Sequence, residues 1–512
     1  MQKCEKTWPD EKNMSAVGYE LLRRKGGLTA FALAQPAQVR PVTKVMPGNG
    51  LLAIPAQVAP QSEDPLDHIL FALKHEGVNL QILAQVLPAI PAAQMLAALK
   101  QTPNGQYIRV AAFLWEHFNG QRLEGRPEIT VGYASVFDPA RYITGPSRRD
   151  ARWRVDFNGL GSLAYCATVE RTPAIEAAIA SDILGRANAF LKSLGPAMLD
   201  RALAWAYLHE TEDSYAIEQE TPSEDKARAF VQLLHQAHEG RRLSEDYLAE
   251  LQSSTVTNPL DQAVQFRGEQ NWLRGPGRGA SGVTYVPPWP ELVEPLMDAW
   301  MAFANDAPSQ TDPIVAASIA SFGFVFIHPF MDGNGRLSRF LFHKALCTSG
   351  KLAKGLLLPV SVAMKRNEAD YLAALQAYSR QARERVKVTW IDEGEYQFEF
   401  KTDDAIFRYW DATACVEFGF RMAAQALDVE LRQETVFLER YDQVMRRVNE
   451  KIDVRGNDLA TLVVICLDND GVISRKKRKR FADRVPEASF EVIEAAVRDV
   501  LDEADDEDTD SE

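Results

Sequence analysis

The chain reads as a mainly α-helical protein of several domains. Two observations predict this. Apolar residues recur every three and four positions through most of the region from Asp67 to Ala382 and again after Asp403. Only a few short stretches alternate or cluster β-branched residues, as in EITVGYASVF and VKVTWIDEGEYQFEF. The 512 residues allow two to four domains with buried cores.

In chain order, residues 1–66 form an N-terminal extension broken by Pro36, Pro41, Pro47, Pro55, Pro60 and Pro65, which leave no room for long helices. Residues 67–192 begin with helical patterns up to Gly120 and form a second unit. Residues 193–385 carry helices over Met198–His209, Ser223–Ala237, Ser244–Leu251, Glu291–Asn305, Ile314–Ile327, Leu337–Leu346 and Glu368–Ala382. Between them lies a Gly/Pro-rich stretch, Arg267 to Pro290, that suits a hairpin and not a helix. A strand pair after Arg385 opens a C-terminal unit, 386–501. Residues 502–512 hold eight acids and no base, which predicts a solvated, disordered tail.

The net charge is −14, but eight of those charges sit in that tail and the rest of the chain carries −6. A general nucleic-acid binder is therefore disfavoured, although Arg475 to Arg480 are six consecutive bases. That run suits a solvated face or the acidic tail better than nucleic acid. Cys4, Cys166, Cys347, Cys415 and Cys466 are scattered and odd in number, which predicts reduced thiols in a cytoplasmic protein. The first residues hold no apolar run, and Ile314–Ile327 is too short to span a bilayer, so neither a secretory signal nor a membrane is expected.

One string carries chemistry: His328-Pro-Phe-Met-Asp-Gly-Asn-Gly-Arg-Leu-Ser-Arg339, set between two apolar helical patterns. Glycines let a backbone approach a ligand closely. Amides at the start of the second helix favour an anion. Asp332 is a hard oxygen donor suited to Mg²⁺. Arg336 and Arg339, three apart, share a helix face and suit phosphate oxygens. His328 can accept a proton near neutral pH. Together they predict a nucleotide-polyphosphate site with a general base. GxGxxG at Gly277–Gly282 and GxGxxA at Gly159–Ala164 lack the βαβ context of a dinucleotide site.

The string resembles the Fic (Fic/Doc) motif HxFx(D/E)GNGRxxR at every specified position. The resemblance covers about Ser193 to Ala382 and extends over Asp67–Leu194, which looks like the helical N-terminal domain of larger Fic proteins. It implies a helical Fic core with a β-hairpin flap, and a winged-helix-like C-terminal domain. It implies AMP transfer from ATP, with Mg²⁺, onto a protein Ser, Thr or Tyr hydroxyl, self-modification included. By position His328 would be the base, Asp332 the Mg²⁺ ligand and Asn334 the α-phosphate contact. The Gly333–Gly335 backbone would cradle the anion, Arg336 would bind the phosphate chain and Arg339 the γ-phosphate. Relatives that transfer phosphate instead carry Lys where Gly333 stands. Tyr371 resembles the tyrosine that lines the family's adenine pocket. Gly282, Val283, Thr284 and Tyr285 take the place of the target-docking flap.

Upstream, Ser214-Tyr-Ala-Ile-Glu218-Gln219 resembles the family's inhibitory helix, (S/T)xxxE(G/N), with Gln219 departing from the pattern. Ser214 and Glu218 are i,i+4, and the glutamate would pair with Arg339. A second fit, Thr389 to Gly394, lies in a strand-like context and weighs less. Other Fic chemistry (another nucleotide, phosphocholine, AMP removal) and a DNA-associated regulator remain alternatives, and homodimers are common in the family.

Overall fold

The computed structural model describes residues 16–392, 394–452 and 456–509, with the backbone alone for Gly456 and 504–509. Cys4 and Glu393 lie outside the described residues, and the four other cysteines are free thiols. The chain is mainly helical, with small sheets of two or three strands. Among the described residues no single helix is long and apolar enough to cross a membrane.

The organising element is the helix Pro313–Ile327. Asp312 caps its N-terminus, accepting from the Ile314 and Val315 amides, and all fifteen of its residues are buried. Its sequence is apolar on every side, as a helix wrapped by others must be. Around it pack Pro290–Gln310, Asn334–Thr348 and Thr413–Gln425. Pro196–Ile217 packs on Val360–Arg366 and Glu224–Gln236 at the edge of the same core. Several helices run longer than the periodicity predicts, as Pro196–Ile217 does, its added turns ending beside the site. The helical periodicity of residues 175–194 resolves into two helices, Pro173–Ala180 and Ile183–Ser193, broken where Asp182 takes φ 45° and caps the second.

A second core, from Tyr19 to Cys166 and closed by Ala405 and Tyr409, forms the N-terminal unit. The two cores share a sheet: Tyr409–Asp411 pairs parallel with Tyr165–Thr168, which pairs antiparallel with Leu160–Ser162. The GxGxxA stretch is therefore a hairpin and not a nucleotide loop.

The C-terminal boundary differs from the expected one at 386. Val386–Asp392 and Glu395–Phe400 form the expected antiparallel pair, but Val386, Val388, Phe398 and Phe400 pack against the flap residues Val283, Val286 and Trp272. Residues from Ile406 to Leu431 fill the main core. A separate core starts only at Val444, within the helix Arg432–Asn449. That unit adds Gly456–Leu467, Arg475–Phe481 and Glu487–Thr509. Among its described residues it has helices and no strand, so no wing is seen there. The last helix runs on through Asp502 to Thr509, where the sequence predicts disorder. It is nucleated upstream on buried Phe490, Ile493, Val497 and Val500, and Arg447 reaches Glu503. Within the basic run, Arg478 is taken by Glu487 and Glu494.

Candidate active site

The motif lies where Pro313–Ile327 ends and Asn334–Thr348 begins. His328 stops the first helix in the left-handed region, φ 53° and ψ 61°. Its Nδ1 lies 3.1 Å from the Val325 carbonyl, so the tautomer that donates there leaves Nε2 as the free acceptor. Burial, aided by the nearby Arg267 charge, pushes the imidazole down to about 4, against the opposing pull of Glu218 and Asp332. It is neutral, and able to take a proton, at physiological pH.

Phe330 is fully buried and pins the loop. Asn334 braces it: its Oδ1 accepts from the Phe330 amide at 3.1 Å and its Nδ2 donates to the Phe330 carbonyl at 2.8 Å. The structure thus gives this side chain a loop-shaping position. Gly333 caps the second helix at φ 83°. Asp332 is partly exposed, its Oδ2 3.1 Å from Arg336 Nη2.

Both arginines are 1% exposed and both are engaged by carboxylates from one short segment. Arg339 donates from Nε to Ser214 Oγ at 2.9 Å, and from Nη2 to the Ser214 carbonyl at 2.6 Å and to Glu218 Oε1 at 2.8 Å. Arg336 donates from Nη1 to Glu220 Oε2 at 2.8 Å and lies 5.1 Å over the Tyr215 ring. Glu218 also lies on the helix start itself, since a Cβ on Gly335 would overlap its carboxylate.

The segment's backbone explains this. Pro196–Ile217 ends with Glu218 as its C-terminal cap. The Gln219 amide bonds the Ala216 carbonyl and the Glu220 amide bonds the Tyr215 carbonyl, which closes a Schellman turn. Gln219 sits at φ 61°, where Gly or Asn is the unstrained choice. The departure from the sequence pattern is thus a side chain held in a glycine-type position. Behind it, fully buried Glu210 is bound by His343 Nε2 at 2.6 Å, by the Ser361 amide at 2.7 Å and by the Ser361 hydroxyl.

The remaining expected residues fall as follows. Tyr371 packs on Phe322 and Phe418, with its hydroxyl beside Arg339, and burial raises its pKa. It thus stands at the Arg339 end of the site. In the flap, Val283–Tyr285 pairs antiparallel with Leu273–Arg274. Gly282, Val283 and Tyr285 are buried and Thr284 alone of the four is exposed. Arg383 donates to the Val283 carbonyl at 2.8 Å, so that part of the edge is occupied. The resemblance implies exposed docking residues here; instead the hairpin at 386–400 packs on Val283, and Tyr285 is buried against Tyr378. Thr389 to Asp392 are strand, away from the motif. Among the described residues no cluster of three metal-ligating side chains occurs.

The site fits a phosphate chain. Arg336 Nε and Arg339 Nη1 are buried donors without a hydrogen-bond partner, and they flank a helix N-terminus. Asp332 supplies one carboxylate oxygen, which suits a Mg²⁺ that takes its other ligands from phosphates and water.

This is a helix–loop–helix suited to an anion, with a neutral imidazole at its mouth. Residues 242–346 match the Fic/DOC family, and the chain carries a Fic/DOC domain. The segment bearing Ser214 and Glu218 lies upstream of that match. Over 87 residues the chain is 40% identical to a protein adenylyltransferase Fic of Drosophila yakuba, covering 17% of this chain and 16% of that one. Over 178 residues it is 28% identical to a protein adenylyltransferase Fic of Nematostella vectensis, covering 30% and 41%. The match thus spans less than half of either relative. A Fic family protein from Desulfovibrio desulfuricans aligns with 60% of this chain and 87% of its own, at 20% identity and a TM-score of 0.39.

Proposed function

We propose that this chain is an auto-inhibited protein adenylyltransferase. It moves AMP from Mg-ATP to a Ser, Thr or Tyr hydroxyl of a protein, its own chain included. One observation carries the auto-inhibited part: Glu218 rests on Arg339 and on the Gly335 helix start, where a phosphate would lie.

In the transfer, the target hydroxyl oxygen attacks the α-phosphorus as the bond to the bridging oxygen of pyrophosphate breaks. The hydroxyl proton passes to His328 Nε2, and pyrophosphate leaves with the bonding electron pair. Arg336 and Arg339 offset the phosphate charge, and the amides at the start of Asn334–Thr348 receive an oxygen. Asp332 would hold the Mg²⁺, which would supply charge neutralisation to the phosphates. Asn334 and Phe330 keep the loop in shape.

With Glu218 in place, a γ-phosphate meets a carboxylate instead of a free guanidinium. Glu220 adds a second carboxylate on Arg336. Nucleotide can then sit only in a displaced pose. The test is AMP incorporation from α-labelled ATP. Glu218→Gly is expected to raise self-labelling strongly, and Glu218→Gly with His328→Ala to abolish it. Equal labelling of the His328→Ala chain would defeat the mechanism.

A further inference from the structure

Arg267 is nearly buried, yet among the described residues no carboxylate pairs with its guanidinium; every acceptor it donates to is a backbone carbonyl. Its Nε donates to the His328 carbonyl at 2.7 Å. Its Nη2 donates to Pro288 at 2.6 Å and, more weakly, to Ile327 at 3.4 Å, and its Nη1 donates to Glu269 at 2.9 Å. Its own amide donates to the Pro329 carbonyl at 2.8 Å.

A buried cation without a counter-ion is costly, so its place needs a physical reason. The reason lies at the end of Pro313–Ile327. The last carbonyls of a helix have no partner within it, and that end carries partial negative charge. Arg267 takes the Ile327 and His328 carbonyls, while the Tyr285 hydroxyl takes that of Phe326 and the His328 ring that of Val325, and Arg267 sits at the favourable end of the dipole. Desolvation still lowers its pKa to about 10, so the guanidinium stays charged at neutral pH.

The grip falls on both peptide units that follow the left-handed His328. A non-glycine residue there is strained and persists only where its surroundings over-determine it. Pro288 lies three residues after the flap strand Val283–Tyr285. Gln270 donates to Pro287, and Asn271 Nδ2 donates to the Phe330 and Met331 carbonyls. The strap 267–271 therefore ties the flap base to the catalytic loop.

We propose that Arg267 is a positioning residue for the transfer: it fixes the His328 backbone, so aiming Nε2, and holds the flap base in register with it. This rests on the adenylyltransferase reading, with His328 as base. The charged groups that face His328 are Arg267, which lowers its pKa, and Glu218 and Asp332, which raise it.

The test uses the full chain with Glu218→Gly, into which Arg267→Lys and Arg267→Gln are introduced. Lys keeps the charge and loses the fork; Gln keeps a donor and loses the charge. Both are expected to lower the single-turnover rate of AMP incorporation by tenfold or more. ATP affinity should stay within about twofold, since the phosphate-side residues are untouched. The acid limb of the rate should move to higher pH for Gln and stay in place for Lys. A general loss of structure would lower affinity and rate together and move no limb. Unchanged rates in both variants, or ATP affinity lost in step with rate, would overturn the proposal. If the Glu218→Gly parent itself transfers no AMP, the functional reading fails. Titration of the His328 imidazole by NMR, assigned with His328→Ala, then decides the positioning role alone. An upward shift for Arg267→Gln supports it, and none refutes it.

Discussion

Replacing Glu220 by Gln separates two carboxylates that hold the same site. Glu220 Oε2 lies 2.8 Å from Arg336 Nη1, with Arg336 at 1% and Glu220 at 33% side-chain exposure. A hydrogen bond to a charged group is worth about 1.5–3 kcal/mol net. Glu220 is a third exposed, and Arg336 keeps Asp332 as a second acceptor, so the contribution reduces to about 1–2 kcal/mol. If ATP must displace this contact, Glu220→Gln raises ATP affinity about 5- to 30-fold. Both carboxylates face one phosphate chain, so their effects should couple and not simply add. The assay is calorimetric ATP titration of four chains: parent, Glu220→Gln, Glu218→Gly and the double variant. Glu218→Gly alone should leave Arg336 still held, and the double variant should bind most tightly. If Glu220→Gln changes ATP affinity less than twofold in both backgrounds, the Arg336 contact is not a barrier to nucleotide.

Two further expectations follow from the same helix. Gln219→Gly removes left-handed strain from the closed turn, worth up to about 1 kcal/mol. Basal self-labelling should fall by up to about fivefold, and a rise would contradict the closed-turn argument. Glu210→Ala leaves His343 and the Ser361 amide buried without their partner, at a cost of about 2–4 kcal/mol. Thermal unfolding should shift down clearly, whereas an unchanged midpoint would mean that water or a neighbour replaces the carboxylate.

The motif was legible because its chemistry is local in sequence. His328 to Arg339 fold as one helix–loop–helix, so spacing alone sets which groups meet. Glu218 was legible for a similar reason, since i,i+4 spacing places it with Ser214 on one helix side. Glu220 was not, because it lies past the helix end, where a Schellman turn and not a periodicity directs it. Arg267 stands 61 residues before His328 in an irregular Gly/Pro-rich stretch, and nothing in its neighbours points to the carbonyls it binds. The boundary at 386 was misplaced for a related reason. Alternation in VKVTWIDEGEYQFEF predicts a hairpin correctly, but periodicity cannot say which core an apolar face fills.

On the auto-inhibited reading proposed above, the distribution of anchors says where an activating change must act. The body of Pro196–Ile217 is held at Glu210, bonded to two other helices through His343 and Ser361, and at Ser214, gripped twice by Arg339. Moving that helix would strand buried polar groups. Its last turn is different. Glu218 and Glu220 are each about a third exposed, and the residue between them is strained. Lys365 Nζ donates to the Ala216 carbonyl there at 3.1 Å and also contacts Glu368 at the surface. The low-cost route to an open site is thus local: the turn 218–220 unwinds while Ser214 stays on Arg339. An activating partner then needs to engage only the exposed side of that turn, and the helix that carries it need not leave the core.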